Sequence, residues 1–186
     1  MAASIIDSSI FQGIFSSDAM RAVWSDENRT AQYIAIERAL ARVQARLGLI
    51  PQEAADEIIS HCQLEQIDME RLRQQTERIG YPILGVVTQI NQLCRDKLGE
   101  YVHWGATTQD ITDTATVLQI REALALVEAD LETLAQALAT LAREHRLDRL
   151  AIAHAHQPRH PGGALRGAAD HAPGLAGLAR RRFLDG

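Results

Sequence analysis

Between residues 117 and 141, eight aliphatic side chains (Val117, Ile120, Leu124, Val127, Leu131, Leu134, Leu138 and Leu141) recur at spacings that alternate three and four. This is a seven-residue repeat sustained for more than three cycles. It constrains the fold more than any other feature, because it demands an α-helix whose apolar seam faces partner helices. From about Asp110 to Arg146 such a helix would run roughly 55 Å at 1.5 Å per residue. A compact domain of this size has no need of that length. The segment therefore reads as one stave of a long bundle whose other staves come from other subunits or from sequence outside this chain.

The residues before the seam support an all-α chain. Ala, Leu, Gln, Glu and Arg dominate and aromatics are only 4%, which is helix-former chemistry. The segment "SDENRTAQYIAIERALARVQARLG" reads as a helix capped by Ser25, with Asp26 and Glu27 in the first turn and Gly48 after its end. Its apparent stripe is Tyr33, Ile36, Leu40, Val43 and Leu47. Pro51 opens a second helix and a third over "DMERLRQQTERI" stops at Gly80. A fourth begins at Pro82 and is expected to run to Gly99. The expected organisation is a small helical domain over 1–109, the first long bundle helix over 110–146, and an atypical tail over 147–186.

Charge and composition narrow the function. Residues 1–146 carry 13 basic and 21 acidic side chains, an acidic body that argues against nucleic acid as a partner. No apolar run is long enough to span a membrane, and no secretory signal is visible at the N-terminus, so the expectation is a cytoplasmic protein. Cys62 and Cys94 lack any zinc or redox spacing and read as packing residues. Lys97, the one lysine, reads as a solvated cation near a helix end.

The stretch "HWGATTQDITDTA", residues 103–115, is where chemistry concentrates. Thr107 and Asp110 fit the [ST]xxD form of a capping box at the start of the long helix. The same geometry, free N–H groups flanked by hydroxyls and by Gly105, suits a carboxylate or phosphate. His103 could donate a proton or pair with a substrate anion, or could be a half-buried packing residue. Asp113 falls near Asp110 on the helix face, as a second cap-region carboxylate or as part of an acid/base set. His154 and His156 alternate in "AHAHQP", but no third ligand stands at a recognisable spacing, so no metal site is expected.

With these motifs in order, "VHWGATTQDITDTATVLQIREALALVEADL" resembles the first conserved region of the class II fumarase/aspartase superfamily. Within it, the chain looks most like the subgroup that cyclises 3-carboxy-cis,cis-muconate. The run "IFSSDAMRAVWSDENRTAQYIAIERALARVQARLGLIP" is similar to the same subgroup, so the likeness covers about residues 10–146. The resemblance implies a homotetramer with a central bundle built from long helices of all four subunits. It also implies a small di- or tricarboxylate substrate, and elimination or cyclisation beside a carboxylate with no metal or organic cofactor. By resemblance, the hydroxyls and N–H groups of Thr107 and Thr108 grip a substrate carboxylate, Gln109 and Asp110 shape that loop, and His103 lines the pocket. Adenylosuccinate lyase is similar over the same stretch, although the basic and tyrosine pair near its N-terminus has no counterpart in "FSSDAM".

The departures are as informative. The family's second region, which carries a catalytic histidine, should fall near 148–160, where His156 is the candidate acid. The third, a mobile serine loop, has no counterpart in this chain. Residues 147–186 hold four of the seven His and half of the twelve Gly, with no Ser, Thr, Glu or Lys. On this reading the tail is out of frame from somewhere between residues 147 and 158, and the chain is an N-terminal fragment, inactive alone. A reading of another class is a non-catalytic helical module that pairs through the Val117–Leu141 seam.

Overall fold

The computed structural model describes residues 8–146. The expectations for residues 147–186, including His154, His156 and the shifted frame, lie outside the described residues. Among those described there are seven α-helices and no strand: α1 (Gln12–Phe15), α2 (Asp18–Val23), α3 (Asp26–Arg46), α4 (Gln52–His61), α5 (Met69–Ile79), α6 (Pro82–Leu93) and α7 (Thr108–Glu144). Two 3-10 turns, Leu64–Gln66 and Leu98–Tyr101, join them. None of these helices is long and apolar enough to cross a membrane.

Local chemistry sets most of the boundaries. The Ser25 hydroxyl accepts from the Asn28 N–H at 3.1 Å and starts α3, satisfying one of the donors that a helix start leaves unpaired. Asp68 does the same for α5 through the Arg71 N–H at 3.0 Å. Gly80, at φ +84°, closes α5 in the left-handed conformation that an L side chain resists, and Pro82 opens α6.

Helix α6 ends at Leu93, six residues before the glycine expected to stop it. Asp96 and Lys97 turn left-handed, at φ 49° and 63°, while Glu57 of α4 holds Arg95 through its backbone N–H and its guanidinium, both at 3.1 Å. Gly99 serves a different end. A Cβ there would lie 2.6 Å from the Asn91 carbonyl oxygen, so its bare backbone lets the 3-10 turn lie directly on the last turn of α6.

The described residues up to Leu124 form one compact unit. Its core gathers Tyr33, Ile34 and Ala41 of α3, Ala55 and Ile58 of α4, Leu72 of α5, Ile83, Val86 and Ile90 of α6, and Ile111 and Ala115 of α7. Burying each of the isoleucines stabilises the fold by about 1.5–3 kcal/mol before entropy is counted. Two glutamines also enter this interior and are paired there. Gln89 clamps Asp68, accepting from its N–H and donating to its carbonyl, and Gln119 donates to the Val23 carbonyl at 2.7 Å.

The inward face of α3 differs from the stripe its aliphatic residues suggest. Thr30, Tyr33, Ile34, Glu37, Ala41 and Gln44 are buried, whereas Val43 and Leu47 are 42% and 65% exposed. The face is selected by partners for its polar members, described below. From Ala125 onward, α7 continues to Glu144 with Val127, Leu131, Leu134, Leu138 and Leu141 all exposed. Val117, Ile120 and Leu124 are exposed as well, so the whole seam predicted from the repeat lies on the surface of the chain.

Candidate functional site

The site forms where the chain leaves the second 3-10 turn and enters α7. Val102 is anchored in the core. His103 follows at φ 62°, a left-handed conformation that costs a non-glycine residue about 1–2 kcal/mol. Its carbonyl accepts from the Ala106 N–H at 3.3 Å, closing a tight turn that passes through Gly105 at φ +69°. Trp104 stacks obliquely on Tyr101, with ring centroids 5.6 Å apart. One short turn thus separates His103 from the first residue of the helix entrance, Thr107.

The entrance is half of a capping box. The Asp110 carboxylate accepts from the Thr107 N–H at 2.9 Å, as the third helical residue does in that motif. The reciprocal bond is not made. Instead, the Asp110 N–H goes to the Thr107 carbonyl at 3.1 Å, and the Thr107 hydroxyl has no hydrogen bond among the described residues. The Thr108 hydroxyl has none either. Farther along, Thr112, Thr114 and Thr116 donate their hydroxyls back to the carbonyls of Thr108, Asp110 and Thr112, and Gln109 donates to Asp113. The hydroxyls within the helix are spent on the backbone, and the two at its mouth are not. With the Thr107 and Asp110 N–H groups already bonded, those of Thr108 and Gln109 have no partner among the described residues, so this mouth offers two donors and the positive end of a long helix dipole.

The geometry separates the five sequence-predicted residues into groups. Thr107, Thr108 and Asp110 share the helix mouth, Gln109 turns to Asp113, and His103 is tied elsewhere. Its Nδ1 lies 2.6 Å from Oε1 of Glu37 on α3. Glu37 is 1% exposed, and burial pushes its carboxyl above the usual range, opposed by the hydrogen bond and charge of His103. Desolvation penalises the carboxylate, and the histidine is what makes its burial tolerable.

A cleft of about 520 Å³ opens beside the mouth, between α3 and the start of α7. Ile36, Leu40, Leu49, Trp104 and Ile111 give it apolar walls, and Asp110, Thr114 and Gln44 give it polar points. Gln44 donates to the Trp104 carbonyl at 2.7 Å, while its Oε1 is buried without a partner. Glu37 and Gln44 are not among the residues the sequence motifs mark. The available signal was their place at three- and four-residue spacing with Tyr33, Ile34 and Ala41, which marks polar side chains on an inward face. The two thiols take no part. Burial raises Cys62 to about 12 and Cys94 to about 11.

Comparison with known proteins gives a consistent picture. The sequence profile of a family described as Lyase matches residues 13–152. Trans-aconitate decarboxylase 1 of Mycosarcoma maydis is 56% identical over 133 residues, which are 72% of this chain and 27% of that protein. The crystal structure of a fumarate lyase from Mesorhizobium sp. BNC1 superposes with a TM-score of 0.69 at 47% identity, covering 75% of this chain and 34% of that one. The 3-carboxy-cis,cis-muconate lactonizing enzyme from Pseudomonas putida superposes with a TM-score of 0.68 at 37% identity, covering 73% and 32%. The chain thus spans about a third of the length of the relatives it matches.

Proposed function

This chain belongs to that lyase family, within the fumarase/aspartase superfamily, and we propose that its helix mouth grips one carboxylate of a small, unsaturated tricarboxylate. The reaction class is proton chemistry beside a carboxylate. A base takes or returns a proton on the adjacent carbon, and fixed donors hold the enolate-like charge that develops. Cyclisation of 3-carboxy-cis,cis-muconate is the first reaction to test. Decarboxylation of trans-aconitate belongs beside it, since it develops the same kind of charge, and the runner-up is cleavage of adenylosuccinate or another reaction that releases fumarate. The proposed roles are carboxylate binding for Thr107 and Thr108, loop shaping for Gln109 and Asp110, and pocket lining for His103. The proposed assembly is a homotetramer in the cytoplasm, bundled through the α7 seam, with 1–109, 110–146 and 147–186 as its divisions.

The observation that carries this reading is the pair of unspent hydroxyls at Thr107 and Thr108, at a helix mouth with unpaired N–H groups. The experiment is a titration of the 15N-labelled chain with 3-carboxy-cis,cis-muconate, trans-aconitate and adenylosuccinate, followed by NMR. The expected result is movement of the Thr107 and Thr108 amide signals with one of the tricarboxylates, and at least tenfold weaker binding in Thr107→Ala. Unmoved amides with all three compounds would sink the reading. A purely structural helical module predicts that null result together with intact self-association.

A further inference from the structure

We propose that Glu37 is a positioning residue for this site: from α3 it fixes the His103 ring, so that Nδ1 is engaged and Nε2 is the nitrogen offered to a ligand at Thr107 and Thr108. The inference rests on the carboxylate reading above and adds a residue from an element 66 positions away in sequence.

Three observations converge on it. First, the 2.6 Å contact is the one hydrogen bond of the ring among the described residues, and a ring held at one nitrogen has its other nitrogen's direction set. The side chain is 19% exposed, so the ring is anchored on one side and still reaches solvent. Second, Glu37 is placed where packing alone would choose an apolar residue. Its neighbours on the inward face are Tyr33, Ile34 and Ala41, and a buried ion pair contributes little net stability over a hydrophobic filling of the same volume. The carboxylate is accounted for by what it does to His103. Third, His103 keeps a left-handed backbone at φ 62° and closes the turn to Ala106, which places its backbone one tight turn before the mouth of α7. Strained backbone that is over-determined by its surroundings is common where a side chain must be aimed.

Charge supports the assignment. Burial raises the Glu37 carboxyl, and the interaction with His103 pulls it back. His103 is thus the group that offsets the burial of this carboxyl. An Nδ1–H donated to the carboxylate fixes the neutral ring as the tautomer with a free Nε2 lone pair, and a protonated ring as an Nε2–H donor aimed by the same bond.

The test reads the ring directly in the 186-residue chain. Histidine labelled with 15N reports which ring nitrogen carries the proton when the ring is neutral, and His103→Gln assigns the signal. The expected wild-type state is Nδ1–H. Glu37→Gln, whose amide oxygen also accepts, keeps that state, and Glu37→Leu loses it in favour of Nε2–H. Binding of the active tricarboxylate then weakens at least fivefold in Glu37→Leu and by less in Glu37→Gln. A wild-type ring protonated on Nε2, or a Glu37→Leu ring unchanged in a folded chain, overturns the proposal. Should Glu37→Leu fail to fold, the wild-type and Glu37→Gln spectra decide. Failure of the carboxylate reading looks different: the Thr107 and Thr108 amides stay silent while the ring state still follows residue 37.

Discussion

At the scale of single residues, the inward-facing carboxyl of Glu37 links the site to stability. Its pKa is raised by burial, so the folded chain holds this proton more tightly than the unfolded one. The stabilising contribution is complete below the ordinary glutamate value of about 4.3 and is lost as pH rises through the folded value. The expected outcome is that wild type loses ground to Glu37→Gln in urea midpoint as pH increases through that window. A difference that stays flat with pH would show that burial does not govern this carboxyl. The glycines give a second prediction. A Cβ at Gly99 meets the Asn91 carbonyl oxygen and Cα at 2.6 and 2.8 Å, whereas at Gly85 its nearest contact is the terminal Leu72 Cδ1 at 2.6 Å. Backbone cannot swing aside as a side chain can. Gly99→Ala should therefore cost about 2 kcal/mol and Gly85→Ala distinctly less, measured as the shift in unfolding midpoint.

Residue identity also marks what the sequence could and could not reveal. Ser25, Gly80, Pro82 and the Thr107–Asp110 spacing act within one turn of themselves, and each was legible because its partner is adjacent in the chain. Glu37 and Gln44 were not legible, because what makes them tolerable inside is the ring of His103 and the carbonyl of Trp104, 66 and 60 residues away. Periodicity ranks side chains by apolarity alone and so selected Val43 and Leu47 for the inward face of α3.

At the scale of elements, α7 carries the clearest debt. Eight aliphatic side chains along its seam are between 41% and 61% exposed, and a helix of 37 residues owes most of its stability to packing rather than to propensity. Placing charge on the seam should separate assembly from local folding. Leu131→Glu combined with Leu138→Glu is expected to shift the chain to monomer in light scattering after size exclusion, while the near-UV signal of Trp24 and Trp104 is retained. Retained assembly would move the interface off the seam. The early end of α6 belongs at this scale too. The sequence pattern points to the glycine as the stop, but Asp96 and Lys97 make the turn, with Glu57 fixing the loop between them and the helix, and Gly99 is needed for contact rather than for conformation.

For the whole molecule, assembly and stability should be one quantity. If the seam is buried between copies, folding is linked to concentration by mass action, and Tm is expected to rise by several degrees between micromolar and hundred-micromolar protein. A Tm independent of concentration would mean that the exposed leucines stay in water. The two aspects were unequally legible from the sequence. The heptad announces the need for partners because the repeat is long and regular, whereas their geometry depends on surfaces that no single repeat encodes.

The polar bonds from α3 to the turn before α7 and to the first half of that helix have a mechanical consequence. Asn28 and Gln32 hold Glu122 at one end, and Gln44 holds the Trp104 carbonyl at the other. These points are sixteen residues apart along α3, about 24 Å at 1.5 Å per residue. Greasy surfaces can slide over one another a fraction of a turn at a time, but donors and acceptors cannot. An axial slip of α3 by a single residue would break both ends and the Glu37–His103 bond together, so the two helices behave as a ruler with pinned ends. Whatever the mouth of α7 holds, it holds at a fixed mark on that ruler.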